Sequence, residues 1–176
     1  MPELITPTTR LHASWLEARA EFDGAHQDGS GLAPDDETDS PAGFAAWVDR
    51  LLRRADTSVP PEEGRVHATH RWIVEGDTYL GAIDLRHELN DFLLEAGGHI
   101  GYSIRPSARR RGLATWALGE NLHLARRLGL PRVLVTCDPG NEPSARTIRS
   151  NGGVLEDVRE TVIGPTSRYW IGLSRS

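Results

Sequence analysis

The sequence has a single cysteine, no lysine and no long apolar run. One cysteine, Cys137, excludes an internal disulfide and predicts a reducing, cytoplasmic location. No apolar stretch approaches the ~20 residues that a membrane span needs. Residues 1–10 lack the charged and then apolar layout of a secretion signal. We therefore expect a cytoplasmic protein with no membrane partner.

The sequence also lacks an excess of positive charge and two common phosphate-binding motifs. Its formal net charge is −5, and every basic side chain apart from histidine is an arginine. Nucleic-acid binding needs a broad basic surface, so we expect no nucleic-acid partner. Neither Gly-x-x-x-x-Gly-Lys-Ser/Thr nor Gly-x-Gly-x-x-Gly occurs, which excludes the best-known nucleotide loops. The length of 176 residues predicts one domain, 1–176, with a single core.

The most informative segment is residues 101–114, GYSIRPSARRRGLA. A β-prone run ends at Pro106, a basic turn follows, and a helical pattern begins after Gly112. The turn is crowded by four arginines: Arg105, Arg109, Arg110 and Arg111. The first amides of a helix are unbonded and partly positive, so they suit an anion. Taken alone, the pattern is more typical of a basic, solvated connection.

Hydrophobic periodicity predicts an alternation of strands and helices along the rest of the chain. The predicted strands are 3–6, 66–75, 79–85, 99–105, 132–137, 154–162 and 167–173. The predicted helices are 9–22, one that begins at Ser40-Pro41, 113–128 and 141–150. Residues 23–40 read as a long loop, and residues 86–98 as one helical turn or a loop. The strand–helix–strand order predicts that 99–105 and 132–137 are parallel.

From about Ile73 onwards the chain resembles the GCN5-related N-acetyltransferase (GNAT) superfamily. Its signature, Arg/Gln-x-x-Gly-x-Gly/Ala after a strand, is met by RRRGLA at residues 109–114. A second signature, Asn-x-x-Ser/Ala, is met by NEPS at 141–144, followed by Asn-Gly-Gly at 151–153. The resemblance implies an α+β fold. Its mixed, mostly antiparallel twisted sheet has about six to seven strands, a central parallel pair, and helices on both faces.

The resemblance implies acetyl-coenzyme A (acetyl-CoA) as co-substrate, with no metal. The pyrophosphate would lie on the amides of residues 110–114, and the amide-rich pantetheine would pair with the edge of the central strand. The implied cofactor-binding residues are Tyr102, Ser103, Ile104, Arg109, Arg110, Arg111, Gly112, Leu113, Ala114, Thr115, Asn141 and Ser144. Helix capping is an equally weighted role for Asn141 and Ser144.

Catalytic residues cannot be copied from the family. Its usual base positions hold Gly98, Ile100 and Tyr102, and its usual tyrosine acid is replaced by Ile148. The candidates for a base are Glu88, His87 and His99, and Tyr102 is the candidate acid for the leaving thiolate. Each base candidate has a plain alternative as a surface charge or a hydrogen-bonded structural residue, and the alternative for Tyr102 is core packing. Cys137 is expected to be an inert buried thiol.

The acceptor is expected to be a small-molecule amine. Residues 1–60 would supply the acceptor side, whereas 66–176 would form the acetyl-CoA-binding core. The loop at 23–40 is acidic, which suits a cationic amine but is more typical of a solvated, flexible loop. The sequence thus predicts an N-acetyltransferase. A catalytically degenerate acyl-CoA sensor is the alternative, and a homodimer is left open.

Overall fold

The computed structural model describes residues 1–173, which form seven strands and four α-helices. The strands are β1 (Glu3–Ile5), β2 (Ala68–Glu75), β3 (Thr78–Arg86), β4 (Tyr102–Ile104), β5 (Arg132–Cys137), β6 (Gly153–Thr161) and β7 (Gly164–Gly172). The helices are α1 (His12–Phe22), α2 (Pro41–Arg53), α3 (Leu113–Arg127) and α4 (Glu142–Ser150). Across residues 1–173, every helix falls short of the length and apolarity needed to span a membrane.

Local capping chemistry sets the starts of α2 and α4. The Ser40 hydroxyl accepts a hydrogen bond from the Gly43 amide at 3.0 Å, and Pro41 occupies the first helical position. The Asn141 side chain accepts from the Ser144 amide at 3.2 Å, so its predicted capping role is confirmed. Helix α3 differs, because it follows Gly112 in a left-handed conformation and has no side-chain cap.

The strands form two antiparallel sheets, ordered β1-β2-β3-β4 and β5-β7-β6. The predicted central parallel pair is therefore wrong: residues 1–173 contain no parallel ladder. The His99 amide donates to the Leu134 carbonyl at 2.7 Å, but the Leu134 amide donates to His99 Nδ1 at 2.9 Å. The His99 carbonyl, which would accept the Thr136 amide in a parallel ladder, instead accepts the Arg86 amide of β3 at 2.7 Å, and the two sheets separate beyond this point.

Both faces of the four-stranded sheet are covered by helices. On one face Trp72 and Tyr79 pack with α1 and α2. On the other, Ile73 and Ile83 pack with α3. Burying each such side chain stabilises the fold by roughly 1.5–3 kcal/mol. Tyr102 and Ile104 of β4 pack against the α3-side cluster, which positions the edge of that strand.

A single π-helical turn, Leu93–Gly97, occupies the segment whose form the sequence left open. The Arg86 guanidinium donates to the carbonyls of Gly97 and Gly98 at 2.9 and 3.1 Å. From the other sheet, the Thr136 hydroxyl donates to the Ala96 carbonyl at 2.6 Å. The turn therefore bonds to both sheets at the point where they separate.

Candidate active site

The two sheets diverge around a central cleft with a volume of about 1420 Å³. One wall is β4 and the basic turn that follows it, residues 105–112. The other is the end of β5 with the start of α4. The loop between α1 and α2, the π-helical turn and the β6–β7 turn close its remaining sides. The cleft thus collects most of the segments that the sequence singled out.

Strand β4 presents an unpaired backbone edge to this cleft. The register with β3 directs the backbone groups of Gly101, Ser103 and Arg105 toward β3, with amide–carbonyl bonds of 2.9 Å at Gly101 and 2.7 Å at Arg105. Strand alternation then directs the amides and carbonyls of Tyr102 and Ile104 the other way. Such an edge can pair with an extended, amide-rich ligand as if with another strand.

The backbone amides of residues 110–115 have no hydrogen-bond acceptor anywhere in residues 1–173. The first bond of the helix runs from the Trp116 amide to the Gly112 carbonyl at 3.0 Å. Gly112 has φ of +75°, and a side chain added there would meet open space. Six successive free amides at the positive end of a 15-residue helix form a site for an anion. Leu113, Ala114 and Thr115 also line the cleft.

The arginine side chains of the turn do not act alike. Arg111 forms an ion pair with Glu75 at 3.0 Å and does not line the cleft. Arg109 lines the cleft, but its Nε donates to the Ile104 carbonyl at 3.2 Å. Arg110 lines the cleft with no ion-pair partner in residues 1–173, and its φ is +63°. Arg111 was predicted to bind the cofactor, but its side chain does not reach the cleft because it is paired with Glu75.

Across the cleft, Tyr102 and Ser144 join the two walls. The Tyr102 hydroxyl lies 2.7 Å from Ser144 Oγ. Burial raises the pKa of Tyr102 to about 12, so the phenol stays protonated near neutral pH and keeps a proton to give. Burial also raises the pKa of the Cys137 thiol, which lines the cleft at the end of β5, on the same wall as Ser144. Ser103 Oγ is buried and has no partner within residues 1–173.

The three candidate bases lie outside the cleft. His87 Nε2 is 2.8 Å from the Thr69 hydroxyl, and Glu88 is exposed beyond the end of β3. His99 Nδ1 accepts the Leu134 amide, and burial, helped by Arg86, lowers its pKa to about 4. The structure does not bring them to the reaction site, because each lies at the far end of its strand or in the sheet junction.

Other chemistry-bearing residues line the cleft without having been predicted: His26, Arg86 and Arg146. Asp28 joins them, although the sequence showed only that its loop is acidic. Arg86 also pairs with the buried Asp84 at 3.0 Å. His26, Asp28 and Arg146 are exposed on a loop or helix surface and Arg86 ends a strand, so no periodicity distinguished them from other polar side chains.

A family model described as an acetyltransferase (GNAT) domain matches residues 9–154. Comparison with curated proteins gave no match.

Three solved structures illustrate the shared fold. An acetyltransferase of Salmonella typhimurium that modifies the N-terminal serine of ribosomal protein L7/L12 is 16% identical, with a TM-score of 0.67 and coverage of 98% of this chain and 95% of that one. A ribosomal-protein-S5-alanine acetyltransferase of Vibrio fischeri is 14% identical, with a TM-score of 0.74 and coverage of 98% and 93%. The microcin C7 self-immunity acetyltransferase MccE, solved with acetyl-CoA and AMP, is 14% identical, with a TM-score of 0.69 and coverage of 97% and 92%.

At these identities the solved structures show a common fold, whereas the family model spans most of the chain, including residues 109–114 and 141–144. The chain belongs to the GNAT family of N-acetyltransferases.

Proposed function

We propose that this protein transfers the acetyl group of acetyl-CoA to a primary amine by direct attack. The observation that carries the proposal is the meeting, in one cleft, of the free amides of residues 110–115 and the unpaired edge of β4. The first suits a diphosphate and the second suits pantetheine. The presence of acetyl-CoA in the MccE structure, which has the same fold, supports this choice of donor.

The residues of the cleft can supply most of the chemistry. Holding donor and amine in line provides much of the rate of a direct transfer. An outward-facing β4 amide can stabilise the oxyanion that forms as the amine attacks the thioester carbonyl. The Tyr102 hydroxyl, protonated near neutral pH, can then give its proton to the leaving thiolate. Ser144, 2.7 Å from that hydroxyl, orients it.

The proposed acceptor is a small-molecule amine, bound on the side formed by residues 1–60. Residues 66–176 would form the cofactor-binding core of a single domain, 1–176. The Salmonella protein of the same fold acts on a protein N-terminus, so an N-terminal α-amine is the second acceptor to test. Both acceptors expose a primary amine that must lose a proton before it attacks.

Donor binding is tested at Gly112, where a side chain has open space. We expect Gly112→Asp to weaken acetyl-CoA binding by at least about 100-fold in calorimetry, because it places like charge beside the phosphates. Gly112→Asn has nearly the same size and tolerates left-handed backbone, so it isolates the effect of charge. Gly129→Asp is the matched control, since Gly129 has φ of +83° and open space at the other end of α3.

Equal losses for Gly112→Asp and Gly129→Asp would contradict the anion site. Turnover is measured separately as thiol release from acetyl-CoA with spermidine and with a peptide that has a free N-terminal serine. Release with either amine supports the transferase. Saturable donor binding without release under either condition would instead favour the acyl-CoA sensor, which the absence of a base at the family's usual positions motivates.

A further inference from the structure

The cleft contains few side chains that can accept a proton. Within residues 1–173, its carboxylates and imidazoles are His26, Asp28 and Asp138. Asp138 lies on the α4 side and accepts the Gly140 amide at 2.7 Å. His26 and Asp28 lie on the opposite wall, in the α1–α2 loop, and His26 Nε2 is 3.1 Å from Asp28 Oδ1.

We propose that His26 and Asp28 form the proton-accepting pair for the amine acceptor. In this assignment Asp28 attracts the ammonium form and His26 removes its proton. The inference rests on the proposed function and names residues that sequence motifs did not. His26 and Asp28 have side-chain exposures of 79% and 70%, so both are open to an incoming ligand.

The backbone on either side of Asp28 is held firmly although its side chain is exposed. Gln27 and Ser30 are buried, with exposures of 6% and 2%. Gly29 has φ of +76°, and any Cβ there would collide with the Gly101 carbonyl. His70 Nδ1 donates to the Gly29 carbonyl at 3.3 Å. Asp28 is therefore held beside the residue that leads into β4.

Two further observations favour this pair. Asp28 and Tyr102 line the same cleft, so the proposed acid and the proposed pair share one site. The nearest buried carboxylate, Asp84, is already occupied, because it accepts the Gly101 amide at 2.7 Å and pairs with Arg86 at 3.0 Å. Its side chain is 5% exposed, which leaves no room for an amine.

The proton and bond changes balance without another reactant. The ammonium gives one proton to neutral His26, and the imidazolium is stabilised by the Asp28 carboxylate. The amine nitrogen then bonds to the thioester carbonyl carbon, and the carbon–sulfur bond breaks. Tyr102 gives its proton to the thiolate and regains one from the nitrogen of the intermediate. The products are the acetamide, free coenzyme A and one proton, which His26 releases to water.

The test compares His26→Gln and Asp28→Asn with wild type, using acetyl-CoA with spermidine and with a peptide that has a free N-terminal serine. We expect each variant to lower kcat/KM by about 100-fold or more, the usual range for a lost acid–base group. His26→Gln should act on kcat. Asp28→Asn should also raise KM for the amine, and Asp28→Glu should restore part of the rate. Added imidazole should partly rescue His26→Ala.

The controls are Asp35→Asn, in the same loop, and His123→Gln, on α3; both residues are exposed and lie outside the cleft. Calorimetry with acetyl-CoA should give an unchanged Kd for all variants. If wild type turns over and the His26 and Asp28 variants match the controls, the pair is overturned while the proposed function stands. If wild type neither binds acetyl-CoA nor acetylates either probe, the proposed function fails and the pair fails with it.

Discussion

Arg110 combines an unfavourable backbone with an exposed charge. In residues 1–173 only Arg110 and Asp23 have positive φ without being glycine, at +63° and +48°. The left-handed region costs an L-residue roughly 1–2 kcal/mol, and Asp tolerates it better than Arg. Asp23 ends α1, where such a residue satisfies a helix terminus. Arg110 does not end a helix. Its strained backbone instead leads directly into the free amides of residues 111–115.

We predict that Arg110→Gly stabilises the fold but weakens the binding of acetyl-CoA. The free energy of unfolding should rise by up to about 1 kcal/mol, because glycine adopts positive φ without strain. Acetyl-CoA affinity should fall about tenfold through loss of a charged hydrogen bond. Urea denaturation and calorimetry measure the two effects. Asp23→Gly is the control, expected to leave affinity unchanged; an unaltered affinity in Arg110→Gly would show that its guanidinium does not contact the donor.

Among single residues, the sequence predicted site residues from the segment that carries the family resemblance and missed those in the α1–α2 loop, which lies outside it. Gly112 and Ser144 belong to the family signatures and Tyr102 to the strand before them, and all three line the cleft. Arg111 matches the same signature, yet its side chain faces Glu75. His26 belongs to no motif and reaches the cleft only because Gly29 packs against Gly101. Contacts between residues distant in sequence decide both cases, and a local pattern cannot show them.

Among the elements, β4 and the start of α3 carry the proposed donor site. Local patterns predicted α3 to within one residue and β5 with its observed bounds, 132–137. They also predicted a strand at 99–105, whereas β4 comprises only Tyr102–Ile104. The strand is shorter because Gly98 has φ of +67° and His99 bonds to Leu134. Its alternation gives the edge a specific pattern of free amides.

That pattern predicts which amides acetyl-CoA will protect. On binding, hydrogen exchange should slow at Tyr102, at Ile104 and across residues 110–115, because these amides gain acceptors. Exchange at Ser103 should change little, since its amide already faces β3. Residue-resolved exchange by NMR with and without acetyl-CoA measures the difference. Equal protection of Ser103 and its neighbours, or none at residues 110–115, would contradict the proposed binding mode.

At the scale of the whole molecule, the cleft exists because two sheets meet at one point. A parallel ladder between 99–105 and 132–137 would have closed the space that the cleft occupies. The prediction of that ladder rested on the order of elements, which does not show that the His99 carbonyl bonds to β3 and its imidazole to the Leu134 amide. His99 is 4% exposed and Leu134 is fully buried, so the junction is shielded from water. The stability of the molecule should therefore depend on the charge of His99.

We predict that the free energy of unfolding falls as the pH is lowered from about 6.5, the ordinary histidine value. The folded pKa of His99 is about 4, so below pH 6.5 the unfolded chain binds the proton more readily and stability decreases until about pH 4. The loss attributable to one such histidine is at most about 3 kcal/mol. Burial also lowers the pKa of His70, which acts in the same direction.

Substitution of His99 separates its contribution to the pH dependence from that of His70. His99→Gln should be less stable at pH 7.5 by roughly 1–3 kcal/mol, because the Leu134 amide loses a well-placed acceptor. Its stability should also vary less with pH than that of wild type, as measured by urea denaturation between about pH 5 and 7.5. Above pH 5 most carboxylates remain ionised in both states, so the histidines dominate this range. The exposed His123→Gln variant should retain the wild-type slope. If His99→Gln retains it too, the pH dependence of stability does not come from His99.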